Sequence, residues 1–307
     1  MQIRLFILRG RKRKAGQKHQ AGEEGNNKST TPGHGTQYDS SFERAAVLGG
    51  VEAKDVTRPE LVFENEKISV FQQQLGEWDN LNHLIVCRVT NNACIIDPFD
   101  GKYWYEFCQS ENYSLAEIWL THSHWDHTKG VEELLQISSS QVKVRCHSLE
   151  QERGYQMDDV IWWYHEEFSS VNQQIGTLSF SIHCTPGHTP GHVTIIGNGV
   201  VITGDCLFLG RCGRTDLFGG DQDKQRKSLL YLRDFLLRLD ASYVVLPGHQ
   251  YELSDGSNPT VLNLSEFMSN NEALNSIDND SEWNSLPFLS FDDNLAEKAR
   301  RQRASNS

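Results

Sequence analysis

The sequence has no apolar run near the roughly 18 residues that a membrane-spanning helix needs, so it predicts no transmembrane segment and no membrane partner. It also has no Cys-x-x-Cys pair, and its seven cysteines are an odd number. Both features argue against a disulfide framework and indicate free thiols in a reducing compartment such as the cytoplasm.

The chain also lacks the excess of basic residues that nucleic-acid binding requires. Its formal net charge is −12, although residues 1–50 carry nine Lys and Arg against four Asp and Glu. The rest of the chain therefore carries −17, the difference between −12 and +5. An acidic body of this kind predicts that nucleic acid is not a partner.

Composition divides the 307 residues into three parts. Residues 1–55 are first basic and then rich in Gly, Ser, Thr and Asn, and they have too little to bury to offset the entropy of ordering. We expect a disordered tail there, with an organelle-targeting peptide as the alternative. Residues 56–260 are expected to form one folded domain, and residues 261–307 a short arm that is helical or irregular.

Apolar strand-like runs alternate with loops and amphipathic segments from about residue 60 onward, which predicts two sheets sandwiched between helices. "DKQRKSLLYLRDFLLRL" predicts a helix whose apolar stripe packs on the core. That stripe consists of Leu229, Leu230, Leu232, Phe235, Leu236 and Leu239. "GYQMDDVIWWYHEEF" at 154–168 suggests a hydrophobic helix packed on the body, or else a substrate-facing aromatic lid that contains Trp162, Trp163 and Tyr164.

The stretch "THSHWDHTKG" at 121–130 places four metal-ligand side chains within six positions: His122, His124, Asp126 and His127. Neutral imidazole and ionised carboxylate are the usual ligands of zinc and similar divalent ions. Such a cluster is costly unless a cation organises it. The loop therefore predicts a metal site whose other ligands lie elsewhere.

Three later loops each end an apolar strand with a ligand-type residue. "CTPGHTPGH" offers His188 and His192, "VITGDCLF" offers Asp205, and "VVLPGHQY" offers His249. Loops at strand ends are where rigid scaffolds commonly hold catalytic groups. Together with the histidine loop, these residues are poorly explained by chance and are candidates for the remaining ligands.

The order HxHxDH, distant GH, GD and PGH resembles the metallo-β-lactamase superfamily over roughly residues 60–255. The resemblance implies an αββα four-layer sandwich with two divalent metals, zinc or else iron or manganese. One metal would be held by His122, His124 and His188. The other would be held by Asp126, His127 and His249, with Asp205 bridging the two. His192 matches a position that is usually structural, and it stays outside the ligand set.

Within the superfamily, "TGDCLFLGRCGRTDLFGGD" and "LPGHQYEL" are similar to glyoxalase II, which hydrolyses thioesters. This resemblance implies that Arg214 and Tyr251 contact the substrate, although a loop salt bridge from Arg214 to Asp216 or Asp221 is the alternative. Catalysis would use a hydroxide that bridges two metals, with Asp126 and Asp205 as the catalytic residues. The thiol carrier stays open, because Thr215 and Asp216 replace the aromatic residues of glyoxalase II. An S-acylglutathione and an acyl-carrier thioester of the polyketide type are both compatible.

A persulfide dioxygenase is the alternative from another reaction class. Those relatives also carry the "GRTD" found at 213–216, and they use a single iron. His122, His188 and Asp205 would be its ligands here. The number of metal ions per chain distinguishes the two hypotheses.

Overall fold

The computed structural model describes residues 58–138 and 142–289, which all fall within one compact unit of the chain. The predicted tail, residues 1–55, lies outside the described residues, as does the last part of the predicted arm. The described residues form two mixed sheets, with helices on the outer face of each.

The first sheet has seven strands in chain order. Its first four strands pair antiparallel, and its last four pair parallel. The strands are β1 (Glu60–Glu64), β2 (Ile68–Leu75), β3 (Asn80–Cys87), β4 (Asn92–Ile96), β5 (Ser114–Trp119), β6 (Lys143–His147) and β7 (Val160–Trp163).

The second sheet has six strands, and its order is the reverse of the chain order. All its pairs are antiparallel except β11 with β12, which run parallel on either side of a long helix in the sequence. The strands are β8 (Ser170–Ile175), β9 (Leu178–Cys184), β10 (Val193–Gly197), β11 (Val200–Gly204), β12 (Val244–Pro247) and β13 (Leu262–Asn263).

Seven α-helices complete the described part of the chain, with a 3₁₀ helix at Ser148–Arg153. Asp100 and Asp221 cap two of them, each accepting a hydrogen bond from a backbone N–H three residues later. No helix in 58–138 or 142–289 combines the length and the apolar composition needed to cross a membrane. The helices are α1 (Gly101–Ser110), α2 (Trp125–Thr128), α3 (Val131–Ile137), α4 (Gln222–Leu236), α5 (Leu264–Asn270), α6 (Glu272–Ser276) and α7 (Asp280–Asn284).

Neighbouring residues on β3 and β11 show how the layers stack. Ile85 and Ile202 belong to the core between the two sheets. Leu84 packs in the core that includes α1 and α3, whereas Val201 packs in the core that includes α4 to α7. Successive side chains on a strand point to opposite faces, so each sheet contacts the other sheet on one face and helices on the other. The predicted αββα sandwich is confirmed.

The amphipathic segment predicted at 223–239 is the helix α4. Leu229, Leu232 and Leu236 are buried against the second sheet and the later helices. Leu230, Phe235 and Leu239 are partly buried against the same core. The stripe is thus packing surface, as predicted.

The helix expected within 154–168 is wrong, because this segment contributes the edge strand β7. Val160–Trp163 pairs parallel with β6. Trp163 is buried, and its ring lies 6.2 Å from that of Trp119 in the core between the sheets. Tyr164 is 74% exposed. The β-branched and aromatic residues here favour a strand once a free sheet edge is available.

Residues 262–289, which begin the predicted arm, pack closely on the second sheet. β13 pairs with β12, and α5 to α7 follow it. Phe267 and Trp283 are buried in the same core as Leu229 and Leu232 of α4. These residues therefore cover one outer face of the sandwich.

Candidate metal centre

The four loops with ligand-type side chains follow β5, β9, β11 and β12, so both sheets contribute. Two glycines allow the close approach of these loops. Gly204 has a φ of +48°, which favours glycine, and a Cβ there would lie 2.6 Å from Thr121 Oγ1. A Cβ on Gly248 would lie 2.3 Å from Asp205 Oδ1. Side chains at these two positions would push the loops apart.

Three histidines bring their ring nitrogens together in what we call the three-histidine group: His122, His124 and His188. His124 Nδ1 lies 2.9 Å from His122 Nε2 and 2.9 Å from His188 Nε2. His122 and His188 are buried, and His124 is partly buried. The convergence of three ring nitrogens on one point is the arrangement that a divalent cation requires.

A second cluster, the mixed group, consists of Asp126, His127 and His249. The Nε2 atoms of His127 and His249 are 3.1 Å apart, and Asp126 Oδ2 lies 3.5 Å and 3.3 Å from them, respectively. Asp126 and His127 are adjacent because both lie on the short helix α2. His249 arrives from the loop after β12.

Asp205 lies between the two groups. Its Oδ2 is 3.4 Å from Nε2 of His188 in the three-histidine group and 3.4 Å from Nε2 of His249 in the mixed group. Its Oδ1 is 3.4 Å from His127 Nε2. One carboxylate therefore faces both sets of donors.

Hydrogen bonds on the far side of four of the five rings, all except His124, fix which nitrogen faces the centre. Nδ1 of His127 donates to Asp97, Nδ1 of His188 to the carbonyl of Arg214, and Nδ1 of His249 to the carbonyl of Trp78, at 2.7 to 2.9 Å. Nδ1 of His122 contacts Thr121 Oγ1 at 3.0 Å. In each of these four rings Nε2 is the nitrogen that faces the centre, whereas His124 presents its Nδ1.

The two groups differ in their electrostatics. Burial lowers the pKa of His122 well below its ordinary value and that of His124 to about 2, so these rings are neutral ligands. At His127 burial acts the same way, but nearby aspartates, Asp205 foremost, outweigh it and raise the pKa to about 10. The pKa of His249 is also raised despite burial, again mainly by Asp205. The mixed group thus attracts positive charge. The donor set as a whole fits a pair of divalent cations.

Two buried acids that the sequence analysis did not single out hold these groups in place. Asp97, just after β4, accepts from Thr121 N, Thr121 Oγ1 and His127 Nδ1. In the sequence, Asp97 could have been noticed as the acid that directly follows the apolar run "ACII", just as Asp205 follows an apolar strand. Glu150 is fully buried and accepts from the backbone N–H of Ser123 and of Gly191, each at 2.8 Å. No local pattern marks Glu150, since its partners are 27 and 41 residues away.

His192 acts as the structural residue that the resemblance implies. It is fully buried, and its Nε2 accepts from the backbone N–H of Asp205 at 3.0 Å and of Cys206 at 3.1 Å. It thereby orients the loop that presents Asp205. Cys206 and Cys184 are buried free thiols, and burial raises the pKa of Cys184 to about 12, so both act as small apolar residues.

A cavity of about 620 Å³ opens above both groups. Arg214 and Tyr251, the predicted substrate contacts, both line it. Arg214 forms a two-bond ion pair with Asp216, at 2.5 and 2.6 Å, as the loop salt bridge hypothesis anticipated. The ring of Tyr251 lies 4.7 Å from that of Phe208 and 6.4 Å from His249.

The sequence of this chain is similar to those of known proteins. Residues 112–249 match the model of the metallo-beta-lactamase superfamily. A hydroxyacylglutathione hydrolase of Methylobacillus flagellatus is 32% identical over 180 residues, which are 55% of this chain and 62% of that protein. The chain therefore spans less than two thirds of the length of this curated relative.

Two solved structures share the fold. The B3 metallo-beta-lactamase BLEG-1 aligns with a TM-score of 0.56 and 25% identity, over 67% of this chain and 99% of that one. ETHE1 from Myxococcus xanthus aligns with a TM-score of 0.54 and 24% identity, over 71% of this chain and 92% of that one. At 24% identity, the similarity to ETHE1 shows the fold alone.

Proposed function

Because residues 112–249 match the model of the metallo-beta-lactamase superfamily, we propose that this chain is a binuclear metal-dependent hydrolase whose substrates are thioesters. The observation that carries this proposal is the position of Asp205. Its carboxylate oxygens lie 3.4 Å from histidines of both donor groups. A shared carboxylate between two such groups suits two cations that act on one substrate.

Two divalent ions, when bound, would polarise the thioester carbonyl and lower the pKa of a water molecule. His122, His124 and His188 would hold one, Asp126, His127 and His249 the other, and Asp205 both. In the net reaction water adds to the carbonyl carbon, the C–S bond breaks, and a carboxylic acid and a thiol leave.

Asp126 and Asp205 are the proposed catalytic residues. Both line the cavity, and the two pKa values lie below the ordinary value. Burial opposes this shift in each, but the histidines around them outweigh it. As carboxylates they can orient an attacking water and receive its proton. Asn80 donates to Asp126 Oδ2 at 2.7 Å and fixes its rotamer.

A thioester is favoured over other substrates by the named relatives and by the cavity. The curated relatives are hydroxyacylglutathione hydrolases. Trp78, Trp125 and Phe208 supply apolar walls for an acyl group, and Tyr251 lies beside His249 for contact with the carrier. The acidic surface and the seven buried free thiols support a cytoplasmic enzyme of small or carrier-bound substrates rather than of nucleic acid or membranes.

Metal content and thioester hydrolysis, measured on the same preparation, test the proposal. Protein purified without chelator is expected to hold two metal ions per chain, most of them zinc, and to release thiol from S-lactoylglutathione. Two metals without turnover on this substrate would direct the search to coenzyme A and acyl-carrier thioesters. One iron per chain, with oxygen uptake on glutathione persulfide, would overturn the proposal in favour of the dioxygenase.

A further inference from the structure

Arg211 differs from the other arginines of the described chain. Seven of the nine arginines in residues 58–138 and 142–289 have a carboxylate within ion-pair distance. The remaining two are Arg211 and Arg238, and Arg238 is exposed on the surface. Arg211 is partly buried, and this burial lowers the pKa of its guanidinium. A shielded cation without a counter-ion is costly unless a ligand supplies the anion.

Two aromatic rings hold this guanidinium in place. Its Cζ lies 4.9 Å from the ring centroid of Tyr251 and 4.7 Å from that of Phe288. Such cation–π contacts use the face of a ring and leave the N–H groups of the arginine free to donate. In the described residues those N–H groups have no hydrogen-bond acceptor. The result is a preorganised donor.

Arg211 also lies at the cavity above the metal centre. It lines the same 620 Å³ cavity as His188, Asp205 and His249. Arg214 lines the cavity too, but its guanidinium already has both oxygens of Asp216. Of the two, Arg211 is therefore the arginine whose charge has no carboxylate partner within the described residues.

We infer that Arg211 is the specificity-determining residue of this site, and that it binds an anionic oxygen group, carboxylate or phosphate, on the thiol carrier of the substrate. The inference rests on the proposed thioesterase function. An anion bound at Arg211 would also orient the substrate, because Glu77 and Asp79 line the same cavity beside Trp78 and repel an anion there. The acyl group is thus directed toward Trp78 and Trp125, and the carrier toward Arg211.

The Phe288 ring gives the segment after β13 a part in substrate recognition. This ring lies outside the region matched by the superfamily model, residues 112–249. The arm predicted at 261–307 therefore contributes to the site through the residue that stacks on Arg211. A Phe288→Leu variant keeps apolar volume but loses the ring, and a smaller effect than at Arg211 is expected.

The experiment compares three acetyl thioesters: those of glutathione, coenzyme A and N-acetylcysteamine. The first carries carboxylates, the second phosphates, and the third no charge. Arg211→Gln is expected to raise KM about 10- to 100-fold for one anionic thioester, the size of one lost charge-assisted contact. Its kcat should stay within about threefold, and kcat/KM for the neutral thioester should not change.

The matched control is Arg238→Gln, which removes another guanidinium that lies over a ring, 5.4 Å from Phe235, on the surface of the protein. It should leave all three thioesters unaffected. Arg211→Lys keeps the charge and the apolar stem, so it should lie between wild type and Arg211→Gln. A purely structural Arg211 would instead lower kcat/KM equally for charged and neutral substrates, and that result overturns the inference.

Calorimetric binding of S-methylglutathione and S-methyl-coenzyme A, which have no thioester bond, separates the inference from the proposed function. The wild-type chain could hydrolyse none of the three thioesters while Arg211→Gln weakens the binding of a thioether about 10-fold or more. That result would support the anion site and contradict the thioesterase function. If the wild-type chain hydrolyses a thioester but KM and thioether binding are unchanged in Arg211→Gln, the anion site is contradicted and the thioesterase function is not. The thioether that is affected identifies the anion as carboxylate or phosphate.

Discussion

The two donor groups of the metal centre lie side by side but are built differently. The three-histidine group consists of neutral rings on two loops, and Glu150 joins those loops through Ser123 and Gly191. The mixed group contains a carboxylate ligand and depends on Asp97 behind His127. The three-histidine group thus depends on the positions of two loops, whereas the mixed group depends on charged side chains. Substitutions can test each property separately.

The largest effect is expected at Asp205, the residue common to both groups. Asp205→Ala removes the carboxylate that faces His188, His127 and His249. We expect metal content to fall in both groups and hydrolysis to fall more than about 100-fold, beyond the 10- to 100-fold typical of residues behind the ligands. Elemental analysis with a thiol-release assay measures both. Retention of two tightly held metals would show that the groups are independent.

Asp126→Asn should affect the mixed group alone. The amide keeps the shape of the side chain and loses its charge, so this group attracts a cation less strongly. We expect a folded protein, one metal per chain instead of two, and near-complete loss of hydrolysis. Circular dichroism checks the fold, and elemental analysis checks the metal. Wild-type turnover in this variant would contradict the binuclear mechanism.

Asp97→Asn tests the support of the mixed group without touching a ligand. An amide has one acceptor oxygen, so it cannot accept from Thr121 N–H at one end and from His127 Nδ1–H at the other, and the negative charge behind His127 is lost; Thr121 Oγ1 can still accept from His122. Metal affinity should fall about 10- to 100-fold in the mixed group only. Competition with a chelator should therefore show one weakened and one unchanged site. Equal weakening of both would mean that Asp97 acts through Thr121 instead.

Glu150→Gln is the counterpart for the three-histidine group, and its effect on activity should be the smallest. An amide cannot accept at both ends, so the contact to Ser123 or to Gly191 is lost, as is the charge facing Arg153. The free energy of unfolding should fall by about 1–3 kcal/mol, the cost of an unsatisfied buried group. Urea denaturation measures this, with metal affinity expected to fall less than in Asp97→Asn. Unchanged stability would remove Glu150 from the support of these loops.

Local order made much of the fold accessible to sequence analysis. The period of the apolar residues places α4 correctly, and the apolar runs before Asp205 and His249 are strands. The prediction of a helix within residues 154–168 was wrong because the aromatic residues there are compatible with both a packed helix and an edge strand. Only the free edge of β6 decides for a strand, and no local pattern reveals a free edge.

The same limit applies to the arginines of the cavity. Resemblance to glyoxalase II selects Arg214, but the structure gives Arg214 a partner two residues away, Asp216. Arg211 gains its significance from Tyr251 and Phe288, which are 40 and 77 positions further along the chain. Partners at such separations leave no signal in a single sequence.

By itself, the sequence determined which side chains are available for metal binding, since the HxHxDH loop and the loops after three apolar strands concentrate the imidazole and carboxylate groups that divalent ions prefer. It also determined the sandwich, through the spacing of apolar residues. Only the tertiary structure decided how these side chains are held and what they face. The hydrogen bonds that Asp97 and Glu150 accept, and the rings beside Arg211, depend on distances through space that the chain reaches only when both sheets have packed together.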